Sequence, residues 1–107
     1  MILDWFDTKD IDELADRLAS DLVKRVPPSE LHAHDKKAAA RQSKTRDAIY
    51  RQVRDFTSKH RLNIYKKAHL ANRFKWALKE AGYPQALVDE MAFELARLMA
   101  TAKIGSA

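Results

Sequence analysis

The sequence predicts an all-α domain, a compact bundle-like arrangement of about four helices, on three observations. Apolar residues recur at helical spacing in four separate stretches. Only two glycines and three prolines occur in 107 residues, too little turn chemistry for a β-sandwich or barrel. With 46% apolar residues the chain can bury one modest core, and its length suits a single domain over residues 1–107.

The first helix is expected from about Asp10 to Arg25, where Ile11, Leu14, Ala15, Leu18, Leu22 and Val26 form an apolar stripe. Asp7 or Asp10 suits its N-cap, and Asp12, Glu13 and Asp16 favour the positive end of the helix dipole. Pro27-Pro28 ends it, because proline restricts its predecessor and cannot continue the hydrogen-bond ladder. Residues 29–44 admit two readings. They are either the exposed first half of a long second helix or, as part of a 27–44 stretch, an exposed or mobile connection; Leu31 is their sole sizeable apolar anchor. From Thr45 to about Ser58 the second helix is clear, with Ile49, Val53 and Phe56 on one face, extended backwards by Ala38, Gln42 and Thr45. Asn63 caps a third helix ending near Ala81, its core face drawn from Ile64, Ala68, Leu70, Ala71, Phe74, Ala77, Leu78 and Ala81. Gly82 then supplies a left-handed C-terminal position, followed by Pro84. The fourth helix runs from about Pro84 to Ala102 and buries Leu87, Val88, Met91, Leu95, Leu98 and Met99.

Charge divides these helices. Residues 1–35 carry a net −5, residues 36–79 a net +12 and residues 80–107 a net −2, within a total of +5. The basic middle therefore holds the main functional expectation. Lys37, Arg41, Lys44, Arg51 and Arg54 fall on the side of the second helix opposite its apolar face, and Lys66 and Arg73 extend the charge to the third. Such a track can neutralise successive phosphates of DNA or RNA. The competing readings are a solvated face neutralised by the acidic first helix, and a docking surface for an acidic protein.

A second stripe, Tyr65, His69, Asn72 and Trp76, stands at i, i+4, i+7 and i+11 of the third helix. Aromatic, amide and guanidinium groups side by side can stack on bases and bond their edges, so Tyr65, Asn72 and Trp76 are secondary candidates for base contact. The plainer reading is packing, with Ile2, Leu3, Trp5 and Phe6 available to cover Tyr65 and Trp76. Gly82-Tyr83-Pro84 has the spacing of a helix-turn-helix corner, but Asp89, Glu90 and Glu94 on the following helix would repel phosphates; an αα-hairpin is the better reading. Phe93, Arg97, Ala100 and Ile104 lie off the core stripe of the last helix and suit a partner contact or homodimer.

Other function classes are disfavoured. No cysteine is present, which removes disulfides, thiolate metal sites and a thiol nucleophile. Two glycines cannot build a phosphate-cradling loop, and no nucleophile is flanked by a base, so neither an enzyme nor a cofactor site is expected. His32, His34 and Asp35 are too splayed for a metal site. The first seven residues lack the basic and apolar regions of a signal peptide, and no apolar run approaches the roughly 18 residues of a membrane span, so a cytoplasmic protein without a membrane partner is expected. The sequence thus points to a small basic binding module for nucleic acid, with a protein-interaction or adaptor module that has charge-complementary surfaces, open to self-association, as the alternative.

Overall fold

The structure, a computed structural model, describes residues 7–31 and 35–101. Within them lie four α-helices: α1 (Lys9–Arg25), α2 (Lys36–Lys59), α3 (Ile64–Ala81) and α4 (Gln85–Thr101), with a 3-10 turn at Pro28–Glu30. The domain is all-α and bundle-like. Leu14, Leu18, Ile49, Val53, Leu70, Phe74, Leu78, Val88, Met91, Leu95 and Met99 form the fully buried centre, each helix contributing at the spacing of its own stripe.

Local chemistry sets the helix limits. Thr8 rather than Asp7 or Asp10 occupies the N-cap of α1 and makes no side-chain cap bond; Asp7 Oδ1 accepts instead from the Lys9 backbone N–H at 3.1 Å. Asp35 caps α2, its carboxylate accepting from Ala38 N–H at 2.7 Å, so residues 36–44 are the first turns of α2 rather than a connection. A hydroxyl is accommodated twice on the buried face of α2: Thr45 Oγ1 donates to the Arg41 carbonyl and Thr57 Oγ1 to that of Val53, both at 2.7 Å. Asn63 caps α3 through Lys66 N–H at 2.7 Å, and Gly82 closes it at φ +101°, a conformation costly to side chains bearing a Cβ.

One expectation for the core is corrected, and one buried residue is added. Ile64 is 83% exposed, and Ala68 and Ala81 are exposed as well. The buried side of α3 is a narrower stripe, Leu70, Phe74 and Leu78, flanked by half-buried Ala71 and Ala77. Tyr83, which no periodicity singles out, is buried and donates its hydroxyl to the Val26 carbonyl at 2.6 Å, tying the α3–α4 corner to the end of α1.

Helix directions follow from the cross-links. His69 with Asp12, Arg73 with Asp16, and Tyr83 with Val26 all join residues 57 apart, so α1 and α3 run parallel in one register. Gln52 with Asp21 and Arg41 with Glu30 make α1 and α2 antiparallel. The main packed pairs are α1–α3, α3–α4, α1–α2 and α2–α4. They close a ring in which α2 and α3, consecutive in sequence, occupy opposite corners.

Burial in an apolar setting pushes the Tyr83 phenol up to about 12. The unfolded chain releases this proton near pH 10 while the folded chain retains it, so stability present below pH 10 is lost as pH rises toward 12. Tyr83→Phe is expected to cost about 1–2 kcal/mol at pH 8, because the buried Val26 carbonyl loses its donor. In urea titrations at pH 8, 10 and 11, the wild-type advantage over this variant should shrink with each step.

Candidate nucleic-acid interface

The site begins with the outer face of α2. Asp35 and the three-alanine run start the helix well before its apolar anchors begin, which places Lys37, Arg41 and Lys44 on a regular helix. Because Ala38, Thr45, Ile49 and Val53 turn inward, Lys37, Arg41, Lys44, Arg51 and Arg54 are all exposed. From Lys37 to Arg51 the track is about 21 Å long at the helical rise of about 1.5 Å per residue. Lys37, Lys44 and Arg51 have no ion-pair or hydrogen-bond partner among the described residues. Arg41 pairs with Glu30 at 3.1 Å, a contact half open to solvent on both sides.

Two carboxylates of α1 are directed to α3, while a third, Asp21, accepts from Gln52 of α2 at 3.4 Å rather than from a cation of the track. Asp12 Oδ1 lies 2.6 Å from His69 Nε2, and Asp16 accepts two bonds from Arg73 at 3.1 and 3.2 Å. That hydrogen-bonded Asp16 carboxylate raises the Arg73 pKa further. Lys75 lies 3.6 Å from Asp89 of α4. Two carboxylates of α1 thus pair with His69 and Arg73 of α3, and among the described residues the outer track of α2 is relieved only at its Arg41 pair with Glu30 and where Arg54 reaches Glu94. Two like-sided carboxylates, Asp47 and Asp55, interrupt but do not cancel it.

The structure separates the residues grouped by sequence. Arg73 belongs to the middle of α3, at the corner opposite α2, and Lys66, at the start of α3, stands beside the C-terminal end of α2, beyond the row from Lys37 to Arg51. Lys66 lies instead in a corner with Asp7, Asp10, Lys59 and Arg61. Arg54 lies toward α4, where its charge reaches Glu94. The Tyr65–Trp76 stripe points away from the core: Tyr65 is 42% and Trp76 53% exposed. Tyr65 stacks on His69 at 6.0 Å between ring centroids, and Lys79 Nζ sits 4.8 Å over the Trp76 ring. Asn72 and Trp76 line an open groove of about 450 Å³ between α1 and α3, with Asp16 and Glu80 on its wall. This aromatic face and the α2 track cannot act on one ligand as a single surface. Helical geometry alone carried that signal, since Tyr65, Asn72 and Trp76 lie opposite Leu70, Phe74 and Leu78 on the wheel.

Phe93 is 71% exposed, and Arg97 donates to Glu94 in a two-bond pair that holds the Glu94 carboxyl below its ordinary range. Ile104, His32 and His34, with Ile2, Leu3, Trp5 and Phe6, lie outside the described residues. Among the described residues no cluster of three His, Asp or Glu could hold a metal ion, no helix is long and apolar enough to cross a membrane, and no buried side-chain polar atom lacks a hydrogen-bond partner. Comparison with protein-family models, with curated protein sequences and with solved structures gives no match for this chain.

Proposed function

We propose that this domain binds the phosphate backbone of nucleic acid through the outer face of α2. The observation that carries the reading is the row Lys37, Lys44 and Arg51, exposed and without ion-pair or hydrogen-bond partners among the described residues, while Asp12 and Asp16 of α1 engage α3. Arg41 joins the row by exchanging Glu30, a half-exposed partner of little energetic weight, for a phosphate. No aromatic side chain stands on this track: Tyr50 is half-buried, and Phe56 stacks on His60 at 4.1 Å. Positively charged contacts without an aromatic stacking platform support binding dominated by charge and shape rather than by sequence.

Four phosphate contacts imply a salt dependence with a logarithmic slope of about −3.6 on duplex DNA, or roughly a hundredfold loss of affinity between 50 and 200 mM salt. Fluorescence anisotropy of labelled duplexes of two unrelated sequences at several salt concentrations measures it. Equal affinities and a slope near that value are expected. Absence of binding at 50 mM salt, or a flat salt response, would sink the reading.

A further inference from the structure

The α2 track leaves the groove between α2 and α4 unexplained. This open groove of about 770 Å³ is lined by Arg46, Asp47 and Tyr50 of α2 and by Asp89, Glu90 and Phe93 of α4, among others. Phe93, the most exposed of the large aromatic side chains described, stands on it beside half-buried Tyr50. The two helices are parallel here: Asp47 shares the groove with Glu90, Tyr50 feels the charges of Glu94 and Glu90, and further along Arg54 reaches Glu94.

Charge along the groove is therefore graded. At the end toward the start of α4 lie Asp47, Asp89 and Glu90, opposed by Arg46. Glu94 closes the other end, and beyond it stand Arg97, which donates to Glu94, and Arg54, whose charge reaches it. The aromatic pair sits between them. Along α4 the outward side chains are ordered about Phe93: Ala86 seven residues before and Ala100 seven after, Glu90 three before and Arg97 four after. An antiparallel helix of the same sequence centred on Phe93 would bring Ala86 against Ala100 and Glu90 against Arg97, twice over by symmetry. A parallel copy would set Glu90 against Glu90 and Arg97 against Arg97.

We propose that two copies of this chain associate about a twofold axis through the α2–α4 groove, α4 antiparallel to α4. The Phe93 rings meet at the axis beside Tyr50, and Glu90 of each copy faces Arg97 of the other. The small residues Ala86 and Ala100 let the helix backbones approach, and an isologous contact of this kind closes at two copies. The alternation of sign selects direction as well as partner. One helix face is smaller than the roughly 1,200 Å² of a standard stable interface, so a weak, concentration-dependent dimer is expected.

Sedimentation equilibrium of the full chain from about 10 µM to 1 mM in 150 mM salt tests this. The expected mass rises from 12.3 kDa toward twice that value with increasing concentration. Phe93→Ala should weaken association at least tenfold, and so should Glu90→Lys and Arg97→Glu separately, each with unchanged circular dichroism. An equimolar mixture of Glu90→Lys and Arg97→Glu should regain wild-type association, because both symmetry-related contacts again pair opposite charges. A strict monomer up to 1 mM overturns the proposal. So does a dimer indifferent to Phe93→Ala, or one in which the charge variants have no effect or the mixture shows no recovery.

Discussion

Phe74→Ala is expected to lower the unfolding free energy by about 3–5 kcal/mol, a large part of the roughly 5–15 kcal/mol typical of a small domain. Phe74 has no exposed surface, and it lies one turn from Leu70 and one from Leu78, which are equally enclosed. Its helix packs on both α1 and α4, so the vacated volume touches three helices and cannot close by moving one of them. Urea unfolding followed by circular dichroism at pH 7 reads the effect. With an m-value near 1–2 kcal/mol per molar for a domain of this size, the midpoint should fall by about 1.5–5 M or the domain should be unfolded without urea. Phe93→Ala provides the contrast: the same atoms are removed from a side chain 71% exposed, and monomer stability should stay within about 0.5 kcal/mol. Equal losses at the two positions would mean that Phe74 is not enclosed between α1, α3 and α4.

Helices were legible wherever one strong apolar stripe coincided with a good stop signal. Pro27 and Pro28 after α1, and Gly82 after α3, mark ends that the structure places within a residue or two. Legibility failed where the deciding interaction is tertiary. Tyr83 reads as loop because its burial depends on the Val26 carbonyl, 57 residues away. Ile64 reads as core because hydrophobicity does not tell whether a neighbouring helix reaches the first turn of α3. The same limit applies to the candidate site. Charge totals identified the basic middle, but they add α2 and α3 together, and only the ring order α1–α3–α4–α2 shows that these helices face opposite ways. The acidity of α1 was also visible as a sum, whereas its assignment to His69 and Arg73 depends on the parallel register of α1 and α3. Lys37, Lys44 and Arg51 emerge as the residue set to test because that register directs Asp12 and Asp16 to α3, and Asp21 meets Gln52 rather than a cation of the track.

Lys44→Glu combined with Arg51→Glu is expected to reduce affinity for duplex DNA at least about 200-fold at 50 mM salt. Each phosphate contact contributes about 0.9 logarithmic units per tenfold change in salt, so losing two at 50 mM removes a little over two logarithmic units, before the repulsion from two new carboxylates is added. The salt slope should fall from about −3.6 to −1.8 or shallower, a readout that simple misfolding would not produce. Both side chains are exposed and unpaired among the described residues, so helix content and the urea midpoint should be unchanged. Charge reversal of Arg73 is the discriminating control. It stands on α3, already holds Asp16, and should reduce binding far less, though its reversal places two carboxylates together across α1 and α3. Were Arg73 reversal to abolish binding while the Lys44 and Arg51 pair left it intact, the nucleic acid would lie on the α1–α3 side, and the aromatic face of Tyr65 and Trp76 would replace the α2 track as the contact surface.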